Sequence, residues 1–211
     1  MNKLELSALL KEVRRSEKES MVEDGSKIAV IGACSIQYFV RILRYYLRRE
    51  GLNCKIYEGE YGGINMDVFD MSSALYAFEP DYVIVLPFYI DIKDMPPLLS
   101  DRGCVMQYVD SVKAYYEKLW TQLGKIPGVR VLQSNFVIPP IRTLGNLEYQ
   151  EPYSSNGFFK CLNEMLIRER PANVTIVDVD ALSNNIGKYN WFDYPSYFLN
   201  KAAVRLEYMP E

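Results

Sequence analysis

Cys34 and Ser35 stand side by side in the run KIAVIGACSIQ, residues 27–37. The run reads as a buried strand, a tight turn at Gly32, and the start of a helix. A nucleophile displayed at such a turn gains exposure and lies beside backbone N–H groups that could stabilise an oxyanion. A helix N-terminus also favours the thiolate, which would make Cys34 the more reactive of the two. The chain contains no histidine, the usual base for a serine or cysteine nucleophile. Asp91 or Lys201 would have to serve instead. The alternative is structural: Cys34 and Ser35 are small residues allowing close packing, with Ser35 capping the next helix.

Three other groupings could carry chemistry. In EGEYGG (58–63), Gly62 and Gly63 can turn backbone N–H groups toward a ligand. Asp178 and Asp180 form a D-x-D at a strand end, as in aspartyl phosphatases, but Ala181 follows and only 31 residues remain. The structural reading has Asp180 capping a helix that starts near Ala181. In the tail WFDYPSYFLNK (191–201), Asp193 is followed three residues on by Ser196, where a D-x-x-H pair would carry histidine. Aromatic packing of the tail on the sheet is the alternative.

These groups need a scaffold. Apolar runs at KIAVIG, CKIY, DYVIVLPFYI, VRVLQS and VTIVDVD alternate with helical patterns. Leu6, Leu9, Leu10 and Val13 share one face of a first helix over about 3–19. Ile36, Phe39, Val40, Leu43 and Leu47 share a face of the second, with Arg41, Arg44 and Arg48 on a side expected to be solvated. A long helix is expected over about 103–124 and another over 158–170. The segment 135–157 is long and irregular, which in compact domains marks function or mobility. The alternation predicts an α/β fold, a three-layer sandwich with a central, mostly parallel five-stranded sheet. Ligands in such folds gather at the carboxyl ends of the strands. The loops after Ile31, Glu58, Leu86 and Leu132 put Cys34, Ser35, Gly62, Gly63, Asp91 and Asn135 around one expected cleft, with Lys201 of the tail as a further candidate.

Composition narrows the function. A chain of 211 residues with 49% hydrophobic and 24% charged residues suits one soluble domain. The net charge of −3 argues against nucleic acid and anionic membranes as partners. No apolar run is long enough to span a bilayer and no signal-peptide core is visible, so a cytoplasmic protein is expected. Four scattered cysteines without a C-x-x-C pair are expected to be free thiols, with no structural zinc. The 17 tyrosines are expected mainly in packing.

Together the motifs resemble a family. KIAVIGACSIQ, YEGEYGGINMDVFDMSSALYAFEPD, VLQSNFVIPP, LGNLEYQ, CLNEML, TIVDVDAL and the tail W-F-D…Y-F-L-N-K resemble, in order and spacing, the N-terminal region of FkbH-like proteins. The resemblance implies an SGNH-hydrolase-like (flavodoxin-like) domain over 26–211, after a helix and linker over 1–25. In that family a haloacid-dehalogenase-type catalytic domain follows, and the best-understood members load a glyceryl unit onto an acyl carrier protein. That domain is expected in cis and missing here, since the chain ends about where it would begin. The acyl carrier protein is the second partner implied. Magnesium is expected only for the catalytic domain, and no cofactor for this one. Residue by residue, the SGNH serine falls on Cys34 and the second-block glycine on Gly62 or Gly63. The third-block asparagine should lie where PFYID offers Tyr89, Ile90 and Asp91, and the histidine is absent. The resemblance thus implies a recognition domain with a dismantled triad. The competing reading is an ester or thioester hydrolase, or an acyltransferase, using Cys34 or Ser35.

Overall fold

The computed structural model describes residues 3–19, 24–98, 100–151 and 153–211. The elements run α1 (Lys3–Ser16), β1 (Lys27–Gly32), α2 (Gln37–Arg49), β2 (Lys55–Glu58), α3 (Ile64–Phe69), α4 (Ala74–Phe78), β3 (Tyr82–Leu86), α5 (Arg102–Leu123), β4 (Arg130–Ser134), α6 (Ser155–Glu169), β5 (Val174–Val177), α7 (Val179–Ile186), α8 (Lys188–Trp191) and α9 (Tyr194–Asn200). Short 3-10 turns cover Tyr89–Asp91, Gly145–Tyr149 and Leu206–Tyr208.

The five strands form one parallel sheet in the order β2-β1-β3-β4-β5. The expected α/β architecture is the one observed. β1 lies between β2 and β3, with Ile28 opposite both Ile56 and Tyr82. Its unbroken apolar sequence follows from burial on both faces. Ala29 and Ile31 join the larger core with Val83, Val85 and Val131, under α3, α5 and α6. Ile28 and Val30 face the opposite way, against Ile36 and Val40 at the start of α2. Successive residues of one strand thus feed two separate cores.

Several helix starts are set by side-chain caps. Asp101 accepts from the Cys104 N–H at 3.0 Å to open α5, and Ser154 accepts from Gly157 to open α6. Val105, Val109, Val112, Tyr116 and Leu119 are buried along α5 as their spacing predicts. Gly51 follows α2 with φ +75°, a conformation that glycine adopts without strain.

Three local expectations are corrected. The arginine stripe of α2 is covered by α1 rather than solvated. Arg41 is paired with Glu17 at 2.6 Å, and the Arg48 guanidinium donates to the Ser16 carbonyl. Val13 of α1 is buried against that surface. The strand expected through Asp180 ends at Val177, and Asp178, not Asp180, caps the following helix by accepting from Ala181. Ser35 does not cap α2: its N-cap is Ile36, with no side-chain hydrogen bond. The segment EDGS, residues 23–26, reads as a turn from its composition, and Glu23 lies outside the described residues.

Candidate functional site

The carboxyl end of β1 turns at a glycine packed tightly against the next helix. A Cβ on Gly32 would lie 2.5 Å from the Ile36 side chain. The chain therefore passes close over the helix and presents Ala33, Cys34 and Ser35 between the ends of β1 and β3. In the strand order seen here, the order reverses between those two strands, where such folds place ligands.

Two amides of this turn are already spent. Ala33 N–H donates to the Leu86 carbonyl at 3.0 Å, and Ser35 N–H donates to the Lys201 carbonyl at 2.9 Å. Lys201 holds a left-handed backbone (φ +59°) that ends α9 and turns the following segment over the site. The Cys34 side chain is 5% exposed. A nucleophile needs access, which the burial of Cys34 restricts in the arrangement seen, and the Ala33 and Ser35 amides are not free for an oxyanion.

Cys34, Ser35 and Asn135 line one apolar cavity of about 280 Å³, bounded by Phe88, Trp191 and Tyr208. Lys201 reaches this place through its backbone. Its ammonium lies over the rings of Tyr197 and Phe198, 5.1 and 5.6 Å from their centroids. Gly62 belongs elsewhere. It lines a second cavity of about 390 Å³ with Ala33, Lys93, Tyr108 and Tyr115, on the α5 side of the turn. Gly63 is the N-cap of α3, and its N–H donates to the Glu60 carbonyl. The expected single cleft is thus two cavities flanking one turn. Asp91 falls in the 3-10 turn Tyr89–Asp91, and its side chain lies outside the described residues.

Asn135 is engaged rather than displayed. Its Nδ2 donates to Asp178 Oδ1 at 2.7 Å, and its Oδ1 accepts from the Asp180 N–H at 2.9 Å. Asp180 in turn accepts from Ile138 N–H and from Lys188 Nζ, at 2.7 and 2.5 Å. This network ties the end of β4 to α7 and α8. The D-x-D motif therefore acts as structural glue between loops. Among the described residues no cluster of acidic or cysteine side chains could hold a metal ion.

Tyr89 occupies the loop where the SGNH asparagine is expected. Its hydroxyl donates to the Tyr194 hydroxyl at 3.2 Å, and its ring packs on Phe88, Phe192 and Phe159. Burial, reinforced by Tyr194, pushes its phenol well above the ordinary tyrosine range. A phenol held neutral in this way is a poor general base. Trp191, Phe192 and Tyr197 are buried in the same belt, so the tail packs on the sheet as expected, while Phe198 and Leu199 remain exposed. Sequence reasoning missed Tyr89 and Tyr194 as partners, and the pairing of Lys188 with Asp180. The D-x-D spacing was the one visible trace of that network.

A family model described as the FkbH N-terminal domain matches residues 27–211. The chain belongs to that family. This FkbH N-terminal domain resembles the crystal structure of the N-terminal part of the protein BF1531 from Bacteroides fragilis, which contains a phosphatase domain and is complexed with Mg. Identity is 22% and the TM-score 0.79, over 95% of this chain and 53% of that one. The chain thus spans about half the length of that polypeptide. It also resembles the acetyl xylan esterase AlAXEase (14% identity, TM-score 0.52, covering 87% of this chain and 94% of that one). A variant of Axe2, an acetyl xylan esterase from Geobacillus stearothermophilus, is similar at 15% identity and a TM-score of 0.54, over 89% and 91%. At these identities the likeness defines the fold, an SGNH-type α/β domain. No curated protein sequence matches the chain. Among the described residues no helix is long and apolar enough to cross a membrane. No disulfide joins the four cysteines; Cys34 and Cys54 are buried and Cys104 is exposed.

Proposed function

We propose that this FkbH N-terminal domain is a non-catalytic recognition domain. It binds the substrate or the acyl carrier protein through the loops at the carboxyl end of its sheet. It serves a haloacid-dehalogenase-type catalytic domain in cis, which loads a glyceryl or acyl unit onto that carrier. Magnesium belongs to the catalytic domain in this reading.

One observation carries the proposal. The Ser35 amide beside the nucleophile position is closed by the Lys201 carbonyl, over a buried Cys34, in a chain without histidine. The phosphatase domain within the BF1531 structure supports the two-domain arrangement. The acetyl xylan esterases share this fold, and their chemistry defines the competing reading, hydrolysis or acyl transfer by Cys34.

Calorimetric titration with acyl carrier protein, and with a haloacid-dehalogenase-type partner, tests the proposal. Saturable binding to at least one is expected. No binding to either at high micromolar concentration overturns it. So does turnover of a p-nitrophenyl ester or thioester that disappears in Cys34→Ala.

A further inference from the structure

We propose that the cavity beside Cys34 takes a short aliphatic acyl group held in a neutral linkage, a thioester or amide. A free acid or a phosphorylated unit does not fit it. This rests on the recognition role above and names what is recognised.

The walls determine the class. Leu86, Phe88, Val137, Leu182, Trp191 and Val204 form an apolar enclosure at the ends of β1, β3 and β5. No lysine or arginine is among the residues that line it, and its one carboxylate, Glu211, is exposed. A carboxylate or phosphate brought inside would lose water and meet no cation, which is costly. A hydroxyl-rich unit meets few partners beyond the Ser35 and Ser134 hydroxyls of the lining. Asn135 is engaged with Asp178 and Asp180, and the Tyr89 hydroxyl with Tyr194. Such a lining, apolar with few polar groups, is the ordinary character of a small-molecule site.

The volume sets the length. At about 280 Å³ the cavity is nearly twice the size of the ~150 Å³ space known to hold benzene. It therefore admits on the order of ten non-hydrogen atoms. One wall is the segment after α9, tied by the Ser35–Lys201 hydrogen bond and by Arg205 N–H donating to the Trp191 carbonyl, with Ala203, Val204 and Tyr208 packed against the core. Cationic side chains lie elsewhere: Arg142, Lys160 and Lys188 line a polar cavity of about 910 Å³ together with Glu148 and Asp180.

Trp191 is a built-in reporter. It is one of two tryptophans, and the other, Trp120, is buried with its indole N–H on Gln133. Fluorescence titration of the 211-residue protein uses N-acetylcysteamine thioesters of graded saturated chain length, octanoate, and a glyceryl thioester. Saturable quenching is expected, tightest at roughly six to eight carbons and weaker beyond. Octanoate should bind about tenfold more weakly or worse, and the glyceryl thioester should not saturate. Leu182→Phe should shift the optimum to shorter chains; Val204→Phe, in the segment after α9, does the same if the first variant does not fold. The proposal fails if no chain length saturates, if affinity climbs with length without an optimum, or if octanoate matches the neutral thioesters. Carrier or partner binding without an acyl optimum overturns this inference and leaves the recognition role standing. An acyl optimum without carrier or partner binding does the reverse.

Discussion

The backbone amide of Ser35 donates to the carbonyl of Lys201 at 2.9 Å, fastening the segment after α9 across the end of β1. This bond takes up one of the amides that an oxyanion formed at Cys34 could use. It also makes the segment bearing Ala203 and Val204 a cover beside the buried Cys34.

Thiol labelling reads that cover directly. Cys104 is exposed and should react with Ellman's reagent at once, while Cys34, at 5% exposure, waits for local opening. Removing residues 201–211 should speed Cys34 labelling by about tenfold or more, because a loss of ~1.4 kcal/mol in closure is a factor of ten. Equal Cys34 rates in the two forms would show that the segment does not gate access.

The Asp180–Lys188 pair is 2.5 Å long, with side chains only 15% and 18% exposed. Lys188→Met should cost about 2–3 kcal/mol in urea unfolding, because it strands a largely buried carboxylate. Adding Asp180→Asn should recover part of that loss. If the double variant is less stable than Lys188→Met alone, the pair is not the source of the effect.

Two carboxyls should pull the pH dependence in opposite directions. Glu148 is 2% exposed. Burial raises its pKa, but the Asn156 and Leu144 amides and the Ser154 and Thr143 side chains outweigh that and hold it below the ordinary 4.5. A depressed folded pKa means stability that is full above 4.5 and lost as pH falls through the folded value. Glu148→Gln should flatten the acid side of the unfolding profile. Asp67 behaves oppositely: burial raises its pKa above 3.8 despite the Tyr57 hydroxyl donating to Oδ1 at 2.9 Å. Its contribution is full below 3.8 and lost as pH rises through the folded value. With Oδ2 buried and unpartnered, Asp67→Asn should gain about 1 kcal/mol at neutral pH and little at pH 3. A gain that is the same at both pH values would rule out the ionisation account.

Glycines near Asp67 separate close packing from backbone freedom. A Cβ on Gly59 would meet Asp67 Oδ2 at 2.7 Å and the Val30 carbonyl at 3.2 Å, so Gly59→Ala should cost about 1–3 kcal/mol. Gly62 has φ +66° and open space around it, so Gly62→Ala should cost only the left-handed penalty, about 1–2 kcal/mol. Combining Gly59→Ala with Asp67→Ala should relieve part of the first loss and leave the second unchanged.

By itself the sequence determined the scaffold. Five apolar runs became five parallel strands, the α5 spacing became its buried face, and Gly51 closed α2, because periodicity and backbone preference act within a few residues. It also determined a negative, the lack of histidine. Tertiary packing decided the site. It split the expected cleft by placing Gly62 and Cys34 on opposite sides of one turn, and it covered the arginines of α2 with α1. It engaged Asn135 with Asp178 and Asp180, set Tyr89 against Tyr194, and brought the Lys201 carbonyl to Ser35. Each of those contacts joins residues far apart in the chain. Which donor meets which acceptor there depends on how the loops settle on the sheet, a cooperative result of burying their aromatic side chains that no local pattern encodes.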